Sequence, residues 1–463
     1  MRRRTLLLAA VAGGGAGVAA WAWRSRTATP GATPGRPFTD PAPVESPSSG
    51  RWQAAVGTDG IEPRHDATNL FLLDGSGALT SLNRETGAVG WRVATGVTSN
   101  GSLLQAAGLL IAGGYDDKIQ KGLLVAVDPQ GREVWRQTVL RNIALSTGLA
   151  RGGIVAAEVE ETLYLVDAAT GRIRWAVDVP GSSMGLFWPV ADDDRILVEA
   201  VDRDLTGVLS CRDPETGVER WHVDVGAARW RPRAPGEAVD GPRSAMRLAW
   251  LIITGQGLAV ACRHRSRTRP TGTGDPFRTE VVAFDLGTGE QRWSFVTSRL
   301  DQHHADQDTL YVSHQQPFDA PTEIRAFELS SGRPRWTYRT QGETADLLGM
   351  NATTFTVGDG VVCVSGSTGL FVLDRATGAL RWQVRHPRQF GSATPVIARN
   401  TILVPRSDAQ TKEGGLWRFR APDGARLPTI EPQPVAMRLH LVDQSLYLLS
   451  EAVTLSLPLD TLT

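Results

Sequence analysis

A short phrase returns along almost the whole of this chain: an apolar strand-like run, an Asp, a polar turn carrying Thr-Gly, and a Trp four residues after the Gly. Copies run from Leu82-Asn83-Arg84-Glu85-Thr86-Gly87 to Trp91, from Asp128-Pro129-Gln130-Gly131 to Trp135, from Asp167 through Gly171 to Trp175, and from Asp213 through Gly217 to Trp221. Later copies run from Asp285 through Gly289 to Trp293, from Glu328 through Gly332 to Trp336, and from Asp374 through Gly378 to Trp382. An eighth, Pro422-Asp423-Gly424-Ala425-Arg426-Leu427, keeps the Gly and lacks the Trp.

The motif tryptophans lie 40 to 46 residues apart, except for a gap of 72 between Trp221 and Trp293. A unit of that length holds four short strands and cannot bury its apolar faces alone, so units must stack in a ring of blades; the spacing predicts an all-β propeller of four-stranded antiparallel blades. The long gap holds one blade plus an insertion of roughly 28 residues on that period, placed at about residues 226–280.

Each part of the phrase has a local reason. Leu163-Tyr164-Leu165-Val166, Val281-Val282-Ala283-Phe284 and Leu370-Phe371-Val372-Leu373 are apolar strands suited to packing between neighbouring blades. The following Asp accepts hydrogen bonds from the turn backbone, and the Gly supplies the positive φ that closes a short hairpin. The Trp opening the next strand is a large flat residue for the blade interface, burying on the order of 150–250 Å².

Composition supports one large core: of 463 residues, 41% are hydrophobic and 21% charged. The formal net charge is zero, which offers no electrostatic case for nucleic acid. Only Lys118, Lys121 and Lys412 are lysine among 49 basic residues, a bias expected of a GC-rich bacterial genome. Cys211, Cys262 and Cys363 are too dispersed for metal-ligand spacing and read as small buried strand residues.

Residues 1–26 stand apart from the fold. Arg2-Arg3-Arg4-Thr5-Leu6-Leu7-Leu8 opens an apolar run that ends at Trp23, before Arg24 and Arg26, and resembles a twin-arginine signal. Export across the cytoplasmic membrane is therefore expected, with the product either secreted or held by an uncleaved anchor through residues 5–23. Residues 27–49, rich in Pro, Ser, Thr and Gly, read as a flexible linker, and residues 50–463 as the repeat domain.

Chemistry is sparse. Asp301-Gln302-His303-His304-Ala305-Asp306-Gln307-Asp308, with His314 beyond, has the residue types of a transition-metal site. Neighbours on a strand point to opposite faces, however, so the cluster reads as a polar blade edge. His65 beside Asp66 reads as a solvated loop residue. No nucleophile elbow, zinc-protease helix or phosphate loop occurs. The expectation is no catalytic, cofactor-binding or metal-binding residue, and no cofactor. Trp230-Arg231-Pro232-Arg233-Ala234-Pro235 and Arg263-His264-Arg265-Ser266-Arg267-Thr268-Arg269-Pro270 read as basic rim loops suited to an anionic partner.

The D-x-x-T-G-x-x-x-W copies resemble the pyrroloquinoline-quinone-like (PQQ-like) propeller repeat. This repeat occurs in quinoprotein dehydrogenases, in the propeller lipoprotein of the outer-membrane assembly machine, and in exported proteins of Gram-positive bacteria. Such families usually have eight blades, and eight is the expectation here. Counting the copies strictly gives nine: eight internal units and one shared between Ser49-Gly50-Arg51-Trp52 and the strands at Leu446-Tyr447-Leu448-Leu449 and Val453-Thr454-Leu455-Ser456-Leu457.

Quinoprotein dehydrogenases typically carry adjacent cysteines over the cofactor and carboxylates round a calcium ion, and this chain has no adjacent cysteines. The expected function is therefore a non-catalytic, monomeric binding or scaffolding propeller outside the cytoplasm, recognising a protein or envelope-polymer partner through its loops. The alternatives are a PQQ-dependent oxidoreductase and a ligand-sensing propeller coupled to a membrane complex.

Overall fold

Each repeat forms one four-stranded antiparallel sheet in the computed structural model. It describes residues 44–45 and 52–462 with interruptions, the longest at 179–188, 226–245, 267–276, 315–322, 342–353 and 386–393. The apolar run at 5–23 lies outside the described residues, among which no helix is long and apolar enough to cross a membrane. Blades one to eight occupy 64–94, 99–139, 143–178, 190–224, 246–297, 300–339, 354–385 and 396–433.

The ninth blade joins the two ends of the chain. Its first three strands are Arg438–Val442, Ser445–Leu449 and Thr454–Pro458, and its fourth is Trp52–Ala54, antiparallel with Trp52 opposite Ser456. This is the shared closing blade expected from the terminal strands, and it leaves neither end of the ring with an open sheet face. The ring thus has nine blades, which corrects the expectation of eight. The number follows from the repeat, since each turn ends one sheet and the pooled termini add another.

Nine apolar clusters, each between consecutive sheets, carry this closure. They link blade one to two, two to three and onward round to blade nine, and the last joins Val442, Tyr447 and Leu449 to Leu70, Leu72 and Leu82 of blade one. First strands of neighbouring blades approach one another, as Thr354–Gly358 does Val396–Ala398, so they line the axis while fourth strands form the circumference.

The recurring Trp and Gly act together at one blade interface after another. The Trp of one blade donates its indole N–H to a carbonyl in the turn of the next: Trp91 to Pro129 at 2.9 Å, Trp135 to Ala168 at 3.1 Å, Trp293 to Leu329 at 2.9 Å, Trp336 to Arg375 at 2.9 Å. Trp52 closes the ring in the same way, on Arg84 at 2.9 Å. The turn Gly of the receiving blade lies flat against that ring. At Gly378, with φ +72°, an added Cβ would sit 2.5 Å from Trp336. The Gly is thus required twice, by turn geometry as expected and by the ring pressed on it.

The one interface without this lock is between blades eight and nine. The Trp position of the eighth copy is Pro428, and the facing blade has no hairpin there, because its third and fourth strands come from opposite ends of the chain. The short 3₁₀ turn Leu459–Thr461 takes the place of the hairpin, with Leu459 and Leu462 in the apolar cluster and the buried Arg418 donating to Thr461 O at 2.8 Å. The turn carbonyl at this interface is thus met by a guanidinium in place of an indole.

Candidate functional site at the blade interfaces

The turn aspartates do what their position predicts. Asp167, Asp213 and Asp374 each accept from turn backbone N–H groups through one oxygen and from an Arg seven residues on through the other, at 2.5, 2.5 and 2.7 Å. The guanidinium is the main cause that holds each carboxyl at about 2. This contribution to stability is present above the ordinary carboxylate pKa and is lost as pH falls through about 2.

Two richer clusters occur where blade six meets seven and where blade nine meets one. In the first, Arg375 donates to the hydroxyl of the buried Tyr311 at 3.2 Å and to Asp306 at 2.7 Å, and His304, opposite Tyr311 in register, has its ring 6.3 Å from the tyrosine ring. In the second, Arg84 donates to the buried Tyr447 at 3.3 Å and to Asp443 at 2.7 Å, and His440 stands opposite Tyr447. The two are the same quartet built twice. Arg follows the Asp or Asn only in the copies at Arg84 and Arg375, and those are the copies whose preceding blade carries Tyr at the facing place on its second strand.

The second cluster continues towards the axis. His65, on the first strand Arg64–His65 of blade one, meets His440 on the first strand of blade nine edge to face, 5.7 Å between centroids. Nε2 of His440 is buried without a hydrogen-bond partner among the described residues. Burial, followed by the charge of His65, pushes His440 down to about 4. Burial, then Arg84, lowers His65. These imidazoles are neutral near pH 7 and offer hydrogen-bond donors and acceptors.

The histidines read as a polar blade edge lie on the first strand of blade six, Leu300–Ala305, the inner edge of its sheet, and are half-buried. They point to opposite sides as strand alternation requires: His304 meets Tyr311, whereas Ala305 packs against the core shared with blade five. Burial, then the neighbouring His304, holds His303 down to about 4. His65 is exposed as expected, but on a strand and not a loop. Among the described residues no three His, Cys, Asp or Glu groups are placed to hold a metal ion. All three cysteines are buried on strands, and burial pushes the thiols of Cys211 and Cys363 up to about 12, too high for thiolate chemistry.

A pH dependence follows. In an unfolded chain imidazole titrates near 6.5, so the stability from keeping His303 and His440 neutral is fully present above 6.5 and is lost as pH falls through about 4. At about 1.4 kcal/mol per pKa unit the loss is roughly 3 kcal/mol at most for His303, and smaller for the less buried His440 through solvent screening. Urea midpoints should fall between pH 7 and pH 4.5, and His303→Asn with His440→Asn should flatten that fall. A double variant with an unchanged pH profile would show that these rings are not the cause.

Part of the arginine-rich stretch is not a loop. Arg263 to Ser266 end the second strand of blade five, Leu258–Ser266, which pairs with Phe277–Asp285, and Arg263 is fully buried. It donates to Glu280 at 2.9 and 2.5 Å and to Val225 O at 2.5 Å. Residues 226–245, with Trp230 to Pro235, and 267–276, with Arg267, Arg269 and Pro270, lie outside the described residues.

A closed ring of nine blades, whose described polar clusters tie one blade to the next, defines a repeat propeller. Residues 120–261 and 324–448, more than half of the chain, match the family described as outer membrane protein assembly factor BamB, and the chain belongs to that PQQ-like propeller family. Among curated proteins it is similar to the outer membrane protein assembly factor BamB of Nitrosomonas eutropha, 25% identical over 134 residues. That match spans 28% of this chain and 32% of the relative, about a third of its length. Among solved structures it is similar to BamB from Moraxella catarrhalis, with 15% identity, TM-score 0.47, and coverage of 76% of this chain and 95% of that one. Quinohemoprotein alcohol dehydrogenase from Comamonas testosteroni gives 12% identity, TM-score 0.49, and coverage of 88% and 76%.

Proposed function

We propose that this chain is a non-catalytic scaffold that works outside the cytoplasm, in an envelope assembly whose other members are proteins. The observation that carries this reading is membership of a family described as an outer-membrane assembly factor. The chemistry in the described residues is consistent with it, since carboxylates, guanidinium groups and tyrosines are engaged in holding blades together. A surface for a partner is offered by aliphatic residues just after the turn glycines of four consecutive blades: Val89, Val134, Ile173 and Val218 are 54, 49, 43 and 61% exposed.

A photo-crosslinking residue at position 89 or 173 of the full chain, expressed with its N-terminal segment in bacteria, should capture a discrete envelope protein. A position on the opposite arc, such as the exposed Leu380 of blade seven, serves as the control. Thermal-shift titration with PQQ and calcium should leave the melting temperature unchanged, because only a ligand that binds the folded state raises it. A stoichiometric shift together with no crosslink would overturn the scaffold reading in favour of a quinoprotein enzyme.

A further inference from the structure

Fourth strands form the circumference, and each has one edge not paired within its own blade. At blade eight that edge is occupied. Residues Val44–Glu45 lie parallel to the fourth strand Arg426–Gln433, with Val44 opposite Thr429 and Glu45 opposite Ile430. The residue after the Trp position is exposed in six other blades, at Gln53, Arg92, Arg136, Ala176, Ser294 and Thr337, half-buried at Gln383 and buried at His222, and its counterpart Thr429 is only 2% exposed.

The sequence of this strand limits what can pair with it. Pro428 and Pro432 lack the N–H a ladder needs and bracket a window of three residues, Thr429-Ile430-Glu431. So short a window favours an occupant already held nearby over a strand arriving from solution. The chain's own N-terminal side meets that condition. Only residues 46–51 separate Glu45 from Trp52, which begins the fourth strand of the adjacent ninth blade. Six residues reach about 20 Å when extended.

We propose that Thr429–Glu431 is a strand-accepting site whose occupant is the segment at Val44–Glu45, so that the N-terminal part of the chain leaves the ring at the rim of blade eight. A tether fixed there holds the ring by its circumference and keeps the turn-bearing face clear for a partner. The docking rests on backbone pairing and stands independently of the scaffold reading.

Hydrogen–deuterium exchange on the full chain and on the Val44→Pro, Glu45→Pro double variant tests it. Both substitutions lie outside the blades, and the fourth strands at 133–139 and 291–297 serve as internal folding controls. The expected result is exchange at Thr429–Glu431 faster by roughly tenfold or more in the variant, with the controls unchanged. Equal exchange in the two proteins would overturn the proposal. Slow exchange that depends on protein concentration, with a dimeric mass by light scattering, would also overturn it by assigning the edge to a second copy.

Discussion

Trp336→Ala is expected to lower the free energy of unfolding by about 3–5 kcal/mol, the range for removing a large buried aromatic side chain. The ring is 8% exposed, packs between blades six and seven, donates to Arg375 O and covers Gly378. Its loss opens a cavity, leaves a carbonyl without its donor and removes the surface on which the next turn rests. Two glycine variants separate packing from backbone strain. Gly360 and Gly378 have nearly the same φ, +74° and +72°, but a Cβ on Gly360 would meet nothing within 4 Å. Gly360→Ala should therefore cost only the left-handed backbone term, roughly 1–2 kcal/mol. Gly378→Ala adds the displacement of Trp336, a further ~1–3 kcal/mol of overpacking. Denaturant unfolding measures all three, and equal costs for the two glycine variants would show that the turn does not bear on the ring.

The same residues explain why so much of this fold is legible in the sequence. Each blade must make a tight turn and meet a neighbour, and both needs fall on one short stretch, so the Asp, the Gly and the Trp recur in phase. Blade number is equally legible when the copies are counted, and the expectation of eight came from the habit of related families and not from the residues. Strand alternation correctly separates His303 from His304. What the sequence does not reveal is which residues meet from different blades. Tyr447 and Arg84 touch although 363 positions apart, and nothing local to either predicts the other. The available signal is comparative and internal: two copies carry Arg in the turn, and the blades before them carry Tyr. Arg263 is misread for a related reason. A run of alternating arginines looks like a solvated loop, yet alternation is also what a strand shows when one face meets a buried carboxylate.

That buried pair gives the other large effect. Glu280→Ala should destabilise the protein by about 3–5 kcal/mol, because it takes a paired carboxylate away from a guanidinium in the core. Arg263 has no exposed surface, and its bond to Val225 O, in the cluster between blades four and five, supplies no charge. The cost should not be read as the worth of the ion pair. Taking both charges out of water opposes much of their attraction, so replacing both by apolar side chains of similar size, Arg263→Met with Glu280→Leu, should recover most of the loss. Because the pair is enclosed, added salt should change these differences little, unlike those of the exposed Arg151–Asp194 bridge. Urea unfolding of the two single variants and the double variant closes the cycle. A Glu280→Ala cost below about 1 kcal/mol, the range of a solvated pair, would mean that water reaches Arg263. A double variant no more stable than Glu280→Ala would mean instead that the guanidinium is held for its bond to Val225, and that its chief work is to fasten the long hairpin of blade five to blade four.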